Sequence, residues 1–264
     1  MKILLPIQSI HVLALDAPLI GFAWHQYFAH TYGIAPAVNN QSLVLVLALW
    51  LGYMVDRLFD VSHKARGSFQ SKRHQFAQKY GRYLWPIWGI VLVASISYSL
   101  FSLNSEKIVA CMALFFAILL YNLINQCLLQ QGFPKEVCVA LLFSSACLVL
   151  LNAPFQWHDF FNLSLIIFLN CILLSKKEQQ ADEQIGLSSL AHRLSDWTLT
   201  GLILGSIFFF ALALADWWNP FFMLSGALLI LQILNCRYLC LSNETYRLLV
   251  ECFYCTIPLC FLLT

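Results

Sequence analysis

The sequence predicts an all-α polytopic membrane protein with about nine transmembrane helices in one domain, residues 1–264. Hydrophobic residues make up 60% of the 264 residues and charged residues only 11%, about half the charged fraction of an ordinary soluble domain. The mean hydropathy is +0.73. Apolar runs of about 20 residues, long enough to cross a bilayer, recur along the chain between short polar segments. A chain with this balance needs lipid as its solvent.

The polar segments divide the chain into an ordered series of apolar runs. The N-terminal run follows a single lysine, Lys2, and has no small-residue cleavage site, which predicts a retained first helix rather than a signal peptide. The predicted spans are 9–31, 41–58, 84–103, 107–129, 136–153, 160–175, 197–215, 218–236 and 244–263. The ten cysteines lie mostly inside these runs, where cysteine behaves as a small hydrophobic residue, so no disulfide framework is expected.

The basic residues fix the orientation of the predicted helices. If the N-terminus is cytoplasmic, the loops after the second, fourth, sixth and eighth spans share one face. All 15 Lys and Arg except Lys107 fall on or near that face, as the positive-inside rule requires. We therefore expect an integral protein of a bacterial inner membrane with a cytoplasmic N-terminus. The net charge of +2 gives no reason to expect a nucleic-acid partner.

Two polar segments on this face, residues 56–82 and 175–196, hold most of the candidate chemistry. Asp56 and Asp60 are four residues apart, as are Glu178 and Asp182, so each pair places two carboxylates on one face of a helix. Either pair alone would be ordinary decoration of a helix end. Two pairs on one face suit Mg²⁺, which prefers oxygen ligands and bridges carboxylates to phosphates. Nearby basic residues could neutralise phosphate oxygens; they are Lys64, Arg66, Lys72 and Arg73.

These segments resemble the motifs of the UbiA superfamily of intramembrane prenyltransferases. The sequence DRLFD at 56–60 is similar to the second half of the first aspartate-rich motif, NDxxDxxxD. The sequence ADEQIGLSSLAHRL at 181–194 resembles the second motif, including Gly186, Ser189 and Ala191. Residues 133–136 resemble the short connection between the fourth and fifth helices, and Arg73 stands where relatives carry an arginine.

The resemblance implies a UbiA-like bundle with a central cavity that opens to the cytoplasmic side. It implies transfer of a prenyl group from a polyprenyl diphosphate to an aromatic or other lipid-soluble acceptor, with Mg²⁺ as cofactor and no obligate protein partner. By motif position the metal ligands would be Asp56, Asp60, Glu178 and Asp182, and Asp56, Asp60 and Asp182 would be catalytic. The diphosphate would be bound by Lys64, Arg66, Arg73 and Lys135.

The sequence departs from the family pattern at two places. Gly52 and Tyr53 replace the leading Asn-Asp of the first motif, and Glu178 replaces an aspartate in the second. One expected metal ligand is therefore missing. This leaves open a terpene cyclase with the same fold and a non-catalytic or transport relative. A CDP-alcohol phosphotransferase is disfavoured, because the glycines and the third acid of its motif are absent.

Three further ionisable residues lie within apolar runs, where charge is costly unless it faces a cavity or a partner. Arg247 and Glu251 are four residues apart, which predicts an ion pair within the last helix. Asp16 has no evident local partner in the sequence, so we expect it to orient an acceptor or a basic residue of another helix.

Overall fold

The computed structural model describes residues 10–62, 71–128, 134–184, 190–214, 220, 223, 226 and 243–262. Every regular element in these ranges is a helix, and none of them is a strand. The helices are α1 (Asp16–Thr31), α2 (Asn40–Ser62), α3 (Lys72–Ser102), α4 (Ser105–Leu128), α5 (Lys135–Val149), α6 (Trp157–Gln184), α7 (Leu190–Arg193), α8 (Asp196–Leu214) and α9 (Asn243–Cys260). The all-α prediction is confirmed for this part of the chain.

Four described helices are long and apolar enough to cross a membrane. The spans are Asn40–Ser62 in α2, Lys72–Ser102 in α3, Ser105–Asn125 in α4 and Trp157–Gln179 in α6. Helix α8 adds a shorter apolar stretch, Trp197–Phe208. The predicted span 218–236 lies outside the described residues apart from positions 220, 223 and 226, so the total of about nine spans stays a prediction.

Apolar side chains lie on both the inside and the outside of the bundle. Trp24 and Phe28 of α1 and Leu163 of α6 are fully buried in the main core. On α3 and α4, by contrast, large apolar side chains such as Phe101 and Phe116 are exposed. An outward apolar face is expected where the surrounding solvent is hydrocarbon rather than water. Helices α2 and α6 are therefore central, and α3 and α4 are peripheral.

The helix packing forms a closed circuit. Helix α1 packs against α2, α5 and α9, helix α4 packs against α2 and α5, and helix α6 packs against α5 and α9. Following these contacts leads from α1 through α2, α4, α5, α6 and α9 back to α1. Helix α3 packs on α2. This circuit brings the charged ends of α2, α3, α6 and α9 close to one another.

The helices extend further into the polar segments than the sequence predicts. Residues 56–82 include the last turns of α2, to Ser62, and the first turns of α3, from Lys72. Helix α6 likewise continues to Gln184. Hydropathy locates where apolar side chains stop, whereas a helix satisfies its own backbone hydrogen bonds and can continue past that point. Asp56, Asp60 and Arg73 are consequently held on helices rather than in a loop.

The first predicted helix, 9–31, is interrupted. Residues 10–12 are helical, but Leu13 and Ala14 form a turn, and α1 begins at Asp16. Ala14 has a positive φ of 60°. Pro18 explains the break, since it lacks an N–H and its ring would clash with the carbonyl of Ala14, four residues earlier. In the first turn of α1 the missing N–H matters little, because no helical partner would accept it there.

Candidate active site

Arg57 of α2 binds the backbone at the break before α1. The Arg57 Nη1 atom donates to the carbonyl oxygens of His11 at 2.7 Å and Val12 at 3.2 Å. The Arg57 Nη2 atom lies 3.6 Å from Asp16 Oδ2. Both side chains are almost fully buried. Arg57 therefore supplies a donor to the Val12 carbonyl and another to the His11 carbonyl, which also accepts from the Ala14 N–H, and it compensates the charge of Asp16.

Asp16 belongs to a second contact group formed with His11 and Glu251. His11 Nδ1 lies 2.9 Å from Asp16 Oδ2 and 3.7 Å from Glu251 Oε1. One ligand atom of each of the three residues lies within 4.8 Å of the others. The expectation that Asp16 has no local partner is therefore wrong. The turn at Leu13 and Ala14 folds His11 back onto Asp16, a contact that a straight helix would not make.

Glu178, near the end of α6, is bound by two arginines. Arg247 of α9 donates to it through two nitrogens, Nε to Oε1 at 3.2 Å and Nη2 to Oε2 at 2.7 Å. Arg73 of α3 donates from Nη2 to Oε2 at 2.7 Å. Arg247 Nη1 also lies 3.7 Å from Glu251 Oε1, so the predicted ion pair within the last helix is confirmed. The shorter contacts of Arg247, however, are with Glu178.

These contacts join into one continuous network across six helical segments, namely residues 10–12, α1, α2, α3, α6 and α9. In order, its members are Arg57, Asp16, His11, Glu251, Arg247, Glu178 and Arg73. The three carboxylates and the three guanidinium groups carry equal and opposite formal charge, leaving His11 aside. Such balance is expected, because an uncompensated charge enclosed by protein and lipid is costly.

The first predicted acid pair lies beside the Arg73 end of this network. Asp56 and Asp60 both project from the end of α2, and His74 Nε2 of α3 lies 3.7 Å from Asp60 Oδ2. Lys135 and Arg73 are close enough to act electrostatically on both carboxylates. Arg73 therefore connects the two acidic pairs, since it contacts Glu178 directly.

Asp56 and Asp60 are enclosed by the helices without being fully buried. Tyr121 lies within electrostatic range of both carboxylates, and Tyr53 and Tyr121 each lie within electrostatic range of Cys171 of α6. A central cavity at this place, open to the cytoplasm, stays a prediction.

The carboxylates of Asp56 and Asp60 are suitable ligands for Mg²⁺. Asp56 and Asp60 offer carboxylate oxygens one helical turn apart, the ligand type that Mg²⁺ prefers. The Glu178 oxygens, in contrast, already accept hydrogen bonds from guanidinium groups. Its assignment as a metal ligand stays a prediction. So does that of Asp182, which lies on α6 with a side chain outside the described part of the chain.

Of the four basic residues predicted to bind diphosphate, the structure describes two. Arg73 and Lys135 lie within electrostatic range of Asp56 and Asp60. Lys64 and Arg66 lie outside the described residues. Arg57 and His74 were not predicted as site residues. The available signal was their position, since an ionisable residue beside an apolar helix segment usually has a buried partner.

The sequence matches no protein-family model and no curated protein, but solved structures resemble the whole bundle. A UbiA homologue from Aeropyrum pernix K1 matches with a TM-score of 0.62 and 11% identity, over 95% of this chain and 98% of that one. A UbiA homologue from Archaeoglobus fulgidus bound to DMAPP and Mg²⁺ matches with a TM-score of 0.60 and 14% identity, over 96% of each chain. A digeranylgeranylglyceryl phosphate synthase matches with a TM-score of 0.54 and 15% identity, over 97% of this chain and 95% of that one.

These likenesses define the class of protein: an integral membrane protein of α-helices. In particular, the chain has the fold of the solved UbiA homologues. The predicted UbiA-like fold is thus confirmed, whereas the resemblance of the two acidic motifs stays a prediction. Identities of 11 to 15% make this chain a divergent example of it.

Proposed function

We propose that this protein is an intramembrane prenyltransferase that moves a prenyl group from a polyprenyl diphosphate to an aromatic or other lipid-soluble acceptor. The observation that carries the proposal is that Arg73 and Lys135 lie within electrostatic range of both Asp56 and Asp60 in a bundle with the UbiA fold. In this proposal the charged helix ends face the cytoplasm of a bacterial cell.

Each of these residues has a defined role in the proposal. Asp56 and Asp60 hold Mg²⁺, which when bound neutralises the diphosphate and makes it a better leaving group. Asp182 belongs to the same expected ligand set. Arg73 and Lys135 donate hydrogen bonds to diphosphate oxygens, where negative charge grows as the group departs.

The proposed reaction also requires exclusion of water, which a central cavity would supply. The bond between the allylic carbon and the diphosphate oxygen breaks, the acceptor forms a new bond to that carbon, and the acceptor loses a proton. Water would compete with the acceptor for the allylic carbon. Tyr121 lies within electrostatic range of Asp56 and of Tyr53, and aromatic rings there can stabilise positive charge.

The test uses the purified full chain in lipid vesicles with Mg²⁺ and polyprenyl diphosphates of several lengths. Diphosphate release is measured, and products are identified by mass spectrometry. Asp56→Asn and Asp60→Asn should each lower release by about 10²- to 10³-fold, the usual cost of losing one preorganised electrostatic group. Asp159→Asn is the matched control, because Asp159 lies at the opposite end of α6 and contacts Tyr32. Undiminished release by the Asp56 variant would refute the proposal.

A terpene cyclase is a second candidate, and the position of Tyr53 favours it. Tyr53 stands where the family motif has an acid, and it lies deep in the bundle near Asp16 and Glu251. An aromatic ring in place of a metal ligand suits an enzyme that guides a carbocation through its own chain. Such an enzyme would consume the polyprenyl diphosphate and release a hydrocarbon product when no acceptor is added. A prenyltransferase would need the acceptor for turnover.

A further inference from the structure

The strongest feature that the proposed roles leave unused is Arg247, which binds the same Glu178 carboxylate as Arg73. Arg247 grips the carboxylate through Nε and Nη2, and Arg73 adds a third donor at 2.7 Å. Guanidinium groups bind phosphate and carboxylate oxygens with the same forked geometry. The Glu178 carboxylate therefore lies where two arginines would hold an oxyanion.

Two observations place this arginine pair within reach of a ligand rather than in a sealed core. The side chains of Arg73, Arg247 and Glu178 retain 14%, 10% and 13% of their accessible surface. Arg73 Nε, although buried, finds no hydrogen-bond partner among the described residues. Arg73 thus has donor capacity that its contact with Glu178 does not use.

The location of the pair indicates which oxyanion it would take. Arg73 acts electrostatically on Asp56 and Asp60 as well as contacting Glu178. A diphosphate that Asp56 and Asp60 held through Mg²⁺ would be within electrostatic range of Arg73. Arg247, whose Nη2 donates to the same Glu178 Oε2 atom as Arg73 Nη2, would be the next cation it meets.

We propose that Arg73 and Arg247 form a diphosphate-binding site for which Glu178 is an internal competitor. Resting on the proposed function, this assignment adds Arg247 of the last helix as a ligand of the substrate. It also gives Glu178 a role opposite to that of a metal ligand. When diphosphate binds, it replaces the Glu178 carboxylate on the two guanidinium groups. Before diphosphate binds, Glu178 balances the positive charge of the buried arginines.

The two roles of Glu178 predict opposite effects of one substitution. If Glu178 competes with the ligand, Glu178→Gln should tighten binding of inorganic pyrophosphate about tenfold, because the arginines lose a charged internal partner. If Glu178 ligates Mg²⁺, the same change should weaken pyrophosphate binding and raise the Mg²⁺ concentration that binding requires.

The experiment measures pyrophosphate affinity calorimetrically, with and without Mg²⁺, on the full chain in lipid nanodiscs. We expect Glu178→Gln to bind about tenfold tighter than the natural protein and Arg247→Gln about tenfold weaker. Arg82→Gln is the matched control, since Arg82 is an exposed arginine at the start of α3, and it should stay within about twofold. Weaker binding by Glu178→Gln, or unchanged binding by Arg247→Gln, overturns the assignment.

Two further arms keep the test decisive. If Glu178→Gln does not fold, Arg247→Gln decides alone, because that variant leaves Glu178 paired with Arg73. Benzoate replaces pyrophosphate in a parallel titration, since an acceptor carboxylate has similar oxyanion chemistry. A tenfold gain by Glu178→Gln for benzoate alone would contradict the diphosphate assignment. Failure of diphosphate release with these affinity changes intact would refute the enzymatic proposal and leave the binding site standing.

Discussion

Replacing Arg57 with glutamine should destabilise the folded protein strongly, although the described contacts of its side chain are with residues that are not predicted metal ligands. Its guanidinium group donates to the carbonyl oxygens of His11 and Val12 at 2.7 and 3.2 Å. It also lies 3.6 Å from Asp16. Glutamine can reach at most part of this set and carries no charge. The substitution therefore leaves a buried carboxylate without its cation, and it leaves a helix break with at least one carbonyl unsatisfied.

The expected loss of unfolding free energy is about 4 kcal/mol. Removing one partner of a buried ion pair costs roughly 3–5 kcal/mol, and an orphaned buried carbonyl adds roughly 1–3 kcal/mol. The hydrogen bond between His11 and Asp16 compensates part of this loss. For a chain of this size, 4 kcal/mol corresponds to a fall in Tm of roughly 10 °C.

Thermal unfolding of the purified protein in nanodiscs, followed by circular dichroism, measures this effect. Arg82→Gln, an exposed arginine change on α3, should shift stability by less than about 0.5 kcal/mol. The double variant Asp16→Asn/Arg57→Gln should lose about 2 kcal/mol less than the sum of the single variants, because the two side chains compensate each other. A loss below 1 kcal/mol for Arg57→Gln, or strict additivity in the cycle, would refute this reasoning.

Three other outcomes are expected. Gly21→Ala should destabilise the protein by about 1–3 kcal/mol, because the new methyl would lie 2.1 Å from Leu49 Cδ1. Gly52→Ala, with nothing within 4 Å of the new methyl, should be neutral or stabilising by up to about 1 kcal/mol. Equal Tm values for the two variants would contradict this expected difference. Lys107→Met should lower the free energy of unfolding by about 1–2 kcal/mol, since the Lys107 ammonium group donates to the carbonyls of Val149 and Leu151 at the end of α5. An unchanged Tm would show that water can replace the ammonium group as the donor. Chelation of Mg²⁺ should reduce diphosphate release to background and its return should restore it, whereas full activity in chelator would exclude the metal assignment.

Local patterns were sufficient to predict that Asp56 and Asp60 share one face of a helix. Their helical spacing and the motif they resemble identified them, and in the structure both lie on α2 within electrostatic range of Arg73 and Lys135. The ion pair of Arg247 and Glu251 was predicted for the same reason, since residues four apart on a helix are neighbours by construction. Such contacts depend only on the secondary structure.

Contacts between different helices could not be predicted from local sequence patterns. Glu178 was expected to ligate a metal on the basis of its motif position, yet its oxygens accept hydrogen bonds from Arg73 and Arg247 on two other helices. Sequence separation gives no measure of such distances; 69 residues separate Glu178 from Arg247. Arg57 was missed similarly, because its partners become available only where Pro18 interrupts the first helix.

The amino-acid sequence by itself determined the membrane environment, the all-helical class and the face on which charge collects. These properties follow from hydropathy and from the cost of burying charge or an unpaired backbone group in lipid, both of which act residue by residue. The tertiary structure alone decided which cation neutralises which carboxylate. That choice depends on helix packing, which brings six separate segments to one place and leaves their formal charges balanced.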